Sequence, residues 1–174
     1  MKKEKTTGYI KPLCLWAAVL LWMGLIFGFS GQTGEQSSAL SGGVLHGLFS
    51  ALVPGFRDMS EAAQAELMGP WQLWIRKTAH FLVYLVLGVL TALAAGGHPL
   101  RRRWKFLLPA ALCLLYAAGD EFHQSFIPGR APQVRDVCID FAGALTGILL
   151  TRLFCTLWER HRRKRASGGE DVGR

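Results

Sequence analysis

The chain has 174 residues, the length of one soluble domain, but its composition excludes that class of protein. Hydrophobic residues make up 51% of the chain and charged residues only 18%, whereas soluble domains average about 25% charged residues. The formal net charge of +8 could suggest nucleic-acid binding. The basic residues lie beside long apolar blocks, however, and this arrangement indicates a membrane surface and argues against a nucleic-acid partner.

Four apolar blocks predict four membrane helices, at about residues 13–30, 76–96, 104–124 and 136–158. The first block could be read as a signal peptide, but its 17 apolar residues exceed the usual core of about 7–15 residues, so we expect it to remain a span. The predicted fold class is an all-α integral membrane protein with a four-transmembrane-helix bundle. Residues 13–158 form the membrane domain, and residues 1–12 and 159–174 are its basic flanks.

The basic residues also predict the orientation. Fourteen of the 20 Lys and Arg residues lie before the first block, between the second and third blocks, or after the fourth. The positive-inside rule places these three segments in the cytoplasm. We therefore expect a multi-pass protein of the bacterial plasma membrane with both termini cytoplasmic. The loop of about 45 residues between the first two spans would lie outside.

The long outer loop is expected to be helical. Residues 40–52 carry apolar side chains at helical spacing, with Ser41 as a possible cap, and Pro54 and Gly55 follow as a break. Residues 58–68 predict a second helix, because Asp58 followed by Glu61 resembles a capping box. The first helix fits an amphipathic interfacial or re-entrant segment, or a lid packed on the bundle, and both interpretations stay open.

The third block is too short to span alone. Residues 106–119 give 14 residues, or about 21 Å of helix, against a hydrocarbon core of about 30 Å. To span, this helix must carry Asp120, Glu121, His123 and Gln124 to or into the outer leaflet. The second and fourth blocks likewise need the polar residues that precede them. In the predicted topology all of these polar groups lie at the outer end.

Helical spacing groups these polar residues into faces. The expected faces are Arg76, His80 and Tyr84; Tyr116, Asp120 and Gln124; and Asp136, Asp140 and Gly143. Gly143 and Gly147 form a GxxxG pair, which permits close contact between helices. Intramembrane charges are costly unless they pair or line a wet cavity. The cluster therefore predicts either a functional pocket or a buried ion-pair network that only holds the helices together.

The functional interpretation places eleven residues in a binding pocket: Gln32, Arg76, Lys77, His80, Tyr84, Asp120, Glu121, Gln124, Arg130, Asp136 and Asp140. Arg130 follows Pro128 and Gly129 in a tight loop, where it is expected to be an exposed cation above the cavity or a partner of Asp120 or Glu121. The arginines and Lys77 suit a phosphate or carboxylate. The catalytic candidates, if there is a reaction, are His80, Asp120 and Glu121.

A metal site is not predicted. Glu121 and His123 could ligate a metal together with His80, but the sequence has no paired-His signature such as HExxH. We predict no cofactor.

These residues resemble the VanZ-like family of small bacterial membrane proteins. The resemblance covers roughly residues 13–155 and rests on four groups of residues: Ser30-Gly31-Gln32 with Ser37 and Ser41; Arg76-Lys77-Thr78-Ala79-His80-Phe81 with Tyr84; Asp120-Glu121-Phe122-His123-Gln124 with Phe126-Ile127-Pro128-Gly129-Arg130; and Asp136-Val137 with Asp140, Gly143 and Gly147. The resemblance implies a four-span protein of the cell envelope. The family's named member is linked to low-level resistance to the glycopeptide teicoplanin.

Three functions remain open from the sequence. The first is a membrane protein whose outer pocket binds an anionic lipid headgroup or a lipid-linked cell-wall precursor and thereby affects glycopeptide susceptibility. The second is an intramembrane acid/base enzyme on the same class of substrate. The third is a structural partner of another envelope enzyme. The expected partners are membrane lipids, including lipid-linked peptidoglycan precursors.

Overall fold

A computed structural model describes residues 3–167, which form five α-helices and no strand. The helices are α1 (Lys3–Ser30), α2 (Gly34–Leu52), α3 (Glu61–Gly96), α4 (Trp104–Gln124) and α5 (Val134–Ser167), and a short 3-10 helix (Phe56–Asp58) lies between α2 and α3. The ends of the two expected basic flanks, residues 1–2 and 168–174, lie outside the described residues. The predicted all-helical class is confirmed.

Three of these helices are long and apolar enough to cross a membrane, namely α1 over Pro12–Ser30, α3 over Glu61–Gly96 and α5 over Val134–Arg163. Their outward faces carry large apolar side chains without protein cover, such as Leu21 and Phe154, which are 72% and 66% exposed. Apolar surface on this scale suits lipid rather than water. The chain is therefore a membrane protein by its helices. The fourth predicted span, α4, is not among these three and stays a prediction.

The centre of the bundle is a close contact between α3 and α5. A Cβ atom added at Gly143 would lie 2.2 Å from the backbone oxygen of Phe81, and one added at Gly147 would lie 2.1 Å from that of Leu85. Gly88 meets α5 in the same way, since its added Cβ would lie 2.0 Å from a backbone oxygen. The close approach expected from the GxxxG pair is confirmed.

Helix α4, with the turn before it, runs beside α1 in the same direction. Three contacts are spaced along the two segments. Trp16 Nε1 donates to His98 Nε2 at 2.9 Å, and the Tyr116 hydroxyl donates to the Met23 oxygen at 2.6 Å. The Phe27 and His123 rings stack at 4.3 Å between centroids. Helix α4 also continues through Asp120 and Glu121 to Gln124, as its short apolar block predicted, and it buries all three side chains.

The first predicted helix of the long loop is present as α2, but it begins earlier than expected. Thr33 caps it by accepting the backbone N–H of Gln36, and the Gln36 side chain accepts the backbone N–H of Thr33 in return. This reciprocal pair is a capping box. The expected cap, Ser41, instead lies inside the helix and donates to the backbone oxygens of Ser37 and Ser38.

The second predicted loop helix, over residues 58–68, is wrong as a separate element. Asp58 ends the 3-10 helix, and Ser60 caps α3 by accepting the backbone N–H of Ala63. Helix α3 then runs without interruption through Pro70 to Gly96. Proline removes one hydrogen bond of the ladder, and apolar helices of this kind tolerate the loss.

Helix α2 packs on the bundle, as a lid would. Leu45 is buried, and the Phe49 ring lies 5.6 Å from that of Phe56 and 6.4 Å from that of Trp71. The neighbouring face remains apolar and exposed, and it consists of Leu40, Val44, Leu48 and Leu52. These four residues repeat at i, i+4, i+8 and i+12, so they form a stripe on one side of the helix.

Candidate functional site

A cavity of about 390 Å³ lies where α1 ends, beneath α2 and against α3 and the end of α4. Its polar lining consists of Ser30, Gln32, Ser37, Ser41, Arg76, Thr78, His80, Tyr84, Asp120 and Arg130. Four apolar lining residues, Phe29, Leu40, Val44 and Leu82, are between 51% and 58% exposed. The cavity therefore joins a polar interior to an apolar outer rim, a combination typical of ligand sites.

A salt bridge and a histidine–carboxylate contact hold α3 against α5 next to this cavity. Lys77 forms a salt bridge with Asp136, and both side chains are largely buried. One turn further along α3, His80 Nδ1 lies 3.3 Å from Oδ1 of Asp140, whose side chain is only 1% exposed. The alignment of this second contact falls short of a hydrogen bond, so Asp140 Oδ1 has no hydrogen-bond partner among the described residues.

The acids of α4 are held by polar groups rather than by bases. Glu121 Oε1 accepts the backbone N–H of Gln133 at 2.5 Å. Asp120 Oδ2 accepts from the Gln124 amide at 3.3 Å, and Gln124 Oε1 accepts from Arg130 Nη1 at 2.9 Å. Gln124 thus connects the Arg130 guanidinium to the Asp120 carboxylate.

Arg130 is not the exposed cation that the sequence suggested. Its Nε donates to the backbone oxygen of Gln32 at 3.1 Å, and its side chain is half-buried. Beside it, the backbone N–H of Gly34 donates to the oxygen of Pro128 at 3.2 Å. A Cβ atom at Gly34 would lie 2.4 Å from the Gly129 oxygen, so glycine is required there. The loop after α4 is therefore fastened to the turn between α1 and α2.

Arg76 is a cation of the site without an ionic partner. Within residues 3–167 it forms no ion pair, whereas its neighbour Lys77 does. Burial lowers the pKa of the Arg130 guanidinium and the positive charge of Arg76 lowers it further, whereas the negative charges of Asp120, Glu121 and Asp136 act in the opposite direction. Two guanidinium groups that repel each other thus line one cavity. An anion bound between them would remove that repulsion.

The structure separates the eleven expected pocket residues into two groups. Six line the cavity, namely Gln32, Arg76, His80, Tyr84, Asp120 and Arg130. The other five, Lys77, Glu121, Gln124, Asp136 and Asp140, lie behind it in the contacts just described. Of the three catalytic candidates, His80 and Asp120 face the cavity and Glu121 does not.

Sequence reasoning left out the contribution of α2 to this cavity. Ser37 and Ser41 line it together with Leu40 and Val44. The signal that could have found them is their spacing, since Ser37 and Ser41 lie four residues apart and share a face of the helix. Both serines also belong to the residues that carry the family resemblance.

The described part of the chain contains no group of three or more His, Cys, Asp or Glu side chains placed to hold a metal ion. His123, which could have joined Glu121 and His80, instead stacks on Phe27 at 4.3 Å between ring centroids.

Apolar helices without protein cover and a polar cavity at one end of the bundle define an all-helical membrane protein. Comparison with known families is specific: the VanZ/LLP1 family matches residues 15–155. The chain therefore belongs to the VanZ/LLP1 family, and the resemblance found in the sequence is confirmed. No curated protein and no solved structure matches the chain.

Proposed function

We propose that this protein binds the phosphate group of an anionic lipid in the cavity between α1, α2 and α3. The observation that carries the proposal is Arg76, a cavity-lining guanidinium without an ionic partner among the described residues, with Arg130 beside it. Guanidinium groups bind phosphate oxygens through charge-assisted hydrogen bonds. A phosphate would supply the negative charge for Arg76, because none of the surrounding acids forms an ion pair with it among the described residues.

The apolar rim supports a lipid rather than a free anion. Phe29, Leu40, Val44 and Leu82 line the cavity and are exposed on the apolar surface of the bundle. A lipid could place its phosphate inside while its chains extend past this rim. A lipid-linked peptidoglycan precursor has this architecture, and its binding would connect the protein to glycopeptide susceptibility, including susceptibility to teicoplanin.

The proposal includes a four-span topology in the bacterial plasma membrane, with the cavity in the outer leaflet and both termini cytoplasmic. Helix α4 has 21 residues, or about 31 Å, which matches a hydrocarbon core of about 30 Å. The contacts of α4 and of the turn before it with α1 extend from Trp16 to Phe27, and these are spread along the apolar stretch of that helix. This shared depth favours α4 as a span.

Reporter fusions test the topology. We expect green fluorescent protein to fluoresce when it is fused after Arg174, because the basic segments are retained in the cytoplasm. We expect alkaline phosphatase to be inactive at the same position and active when it is inserted after Gly55. Phosphatase activity at the C-terminal fusion would contradict the orientation and would place the cavity in the opposite leaflet.

Purified protein in phosphatidylcholine nanodiscs tests the binding proposal. We expect saturable binding of a labelled lipid-linked peptidoglycan precursor, and we expect Arg76→Ala to weaken that binding at least tenfold. The reason is that a hydrogen bond to a charged group contributes about 1.5–3 kcal/mol, and about 1.4 kcal/mol corresponds to a tenfold change.

Arg57→Ala is the matched control for this experiment. Arg57 is an exposed arginine of the 3-10 helix and does not line the cavity, so its replacement should leave binding within twofold of the wild type. Equal affinities of the wild type and Arg76→Ala would contradict the proposal. Absence of any binding would favour a structural partner of another envelope enzyme.

A second candidate function is an intramembrane acid/base enzyme. The observation that favours it is His80, which lines the cavity while the buried carboxylate of Asp140 lies 3.3 Å from its Nδ1. A carboxylate at this position orients an imidazole and stabilises its protonated form, so the other ring nitrogen could exchange a proton with a ligand. Conversion of the labelled precursor in the same nanodiscs would select this function over binding alone.

A further inference from the structure

Three buried polar side chains of the cavity have atoms without a partner. The atoms are the Tyr84 hydroxyl, Asp120 Oδ1 and Ser30 Oγ, and none of them has a hydrogen-bond partner within the part of the chain that the structure describes. The three residues are 1%, 5% and 4% exposed, and all of them line the cavity. Buried polar groups are normally hydrogen-bonded, so a cluster of exceptions in one cavity calls for an explanation.

Residues 3–167 do not supply the missing partner. The Tyr84 hydroxyl lies near Asp120, but the two do not meet the geometry of a hydrogen bond. Asp120 uses its other oxygen, Oδ2, to accept from Gln124. The neighbouring Tyr116 hydroxyl is occupied, because it donates to the Met23 oxygen at 2.6 Å. The Tyr84 hydroxyl and Asp120 Oδ1 therefore keep hydrogen-bonding capacity that a group bound in the cavity could use.

The chemistry of these atoms restricts what that group can be. A carboxylate oxygen accepts hydrogen bonds and does not donate them, so Asp120 Oδ1 needs a donor. A phosphate cannot fill this role, since it is itself an acceptor and carries the same sign of charge. The arginines therefore suit the phosphate, and the Tyr84–Asp120 end suits a different part of the ligand. Arg76 and Tyr84 are eight residues apart on α3, or about 12 Å along the helix axis.

We propose that the cavity selects phospholipids whose headgroup carries hydrogen-bond donors, hydroxyl or ammonium, beyond the phosphate, and that Asp120 and Tyr84 recognise those donors. This inference rests on the proposed phosphate site at Arg76 and Arg130. It adds a specificity that the arginines alone do not provide. A hydroxyl could donate to Asp120 Oδ1 and accept from the Tyr84 hydroxyl, and an ammonium could donate to both oxygens.

Two pairs of lipids with identical acyl chains test this specificity in phosphatidylcholine nanodiscs, with native mass spectrometry or competition with a labelled lipid as the measurement. Phosphatidylglycerol and phosphatidylmethanol have the same charge, but only the first has headgroup hydroxyls. Phosphatidylethanolamine and phosphatidylcholine also have equal charges, but only the first has ammonium hydrogens. We expect the wild type to prefer the donor-bearing member at least tenfold in one pair, and that pair identifies the donor as hydroxyl or ammonium.

Tyr84→Phe and Asp120→Asn should each reduce this preference to less than threefold. Tyr116→Phe is the matched control and should retain the preference, because the Tyr116 hydroxyl is engaged with Met23 outside the cavity lining. Asp120→Asn serves as the decisive variant if Tyr84→Phe does not fold. A wild type that binds both members of each pair within threefold would overturn the specificity, as would preferences that survive both variants.

Binding of phosphatidylmethanol, which has no headgroup donors, distinguishes failure of this inference from failure of the proposed function. If Arg76→Ala weakens phosphatidylmethanol binding while the wild type shows no donor preference, the phosphate site stands and the donor site is wrong. If Arg76→Ala leaves phosphatidylmethanol binding unchanged, the phosphate site itself is wrong. In that case the donor inference fails with it.

Discussion

Alanine at Gly143 or Gly147 is expected to destabilise the protein by about 3 kcal/mol, at the upper end of the usual cost of overpacking a core. The new Cβ would lie 2.2 Å from the Phe81 oxygen at the first position and 2.1 Å from the Leu85 oxygen at the second. Both obstacles are backbone atoms of a membrane-type helix, which cannot rotate away as a side chain can. The two helices must therefore move apart.

The measurement is the free energy of unfolding in mixed detergent micelles, together with the abundance of each variant in the membrane. Gly119→Ala provides the matched control, because no atom lies within 4 Å of a Cβ added at that helical position. Its stability should equal or slightly exceed that of the wild type, since alanine favours helix more than glycine does. Equal stabilities of Gly143→Ala and Gly119→Ala would show that α3 and α5 are not in close contact.

This glycine contact also positions the ionic contacts of the site. Gly143 meets α3 at Phe81, the residue after His80, and it lies three residues after Asp140 on α5. A separation of the helices at this point would lengthen the distance between His80 and Asp140. We therefore regard the small residues of α5 as the elements that fix the geometry of the polar cluster.

The existence of the cluster follows from the sequence, but its pairing does not. Helical spacing and the short third block were enough to bring α3, α4 and α5 together at one end through their polar residues. Arg76 and Lys77, however, are consecutive residues and point about 100° apart around the helix. The rotation of α3 against α5 decides which of them faces Asp136, and that rotation depends on backbone contacts at glycines far along the chain.

The contacts of Arg130 and the start of α3 also differ from what the sequence predicted. The sequence showed a Pro-Gly turn before Arg130, but the partner of that turn, Gln32, lies 98 residues away. The sequence pointed to Asp58 as the helix cap, whereas the structure uses Ser60. Local chemistry thus predicted which segments are helices and turns, whereas contacts between distant segments determined which candidate was used.

Replacement of either partner of the Lys77–Asp136 salt bridge is expected to destabilise the protein by roughly 3 kcal/mol, because it strands the other charge in a largely buried position. The side chains are only 14% and 19% exposed, so water screens the remaining charge poorly. Lys77→Met combined with Asp136→Asn keeps the volume of both side chains and leaves no stranded charge. We expect the double variant to lose about 2 kcal/mol less than the sum of the two single losses.

A double-mutant cycle of Arg76 and Glu121 is the matched control for the cycle of Lys77 and Asp136. Arg76 and Glu121 are a base of α3 and an acid of α4 that the sequence places in the same cluster, yet within the described residues they share no ion pair. We expect Arg76→Met and Glu121→Leu to combine nearly additively, with a coupling well below that of Lys77 and Asp136. A larger coupling between Arg76 and Glu121 would show that Arg76 is already paired with an acid, and the argument for an anion in the cavity would then lose its basis.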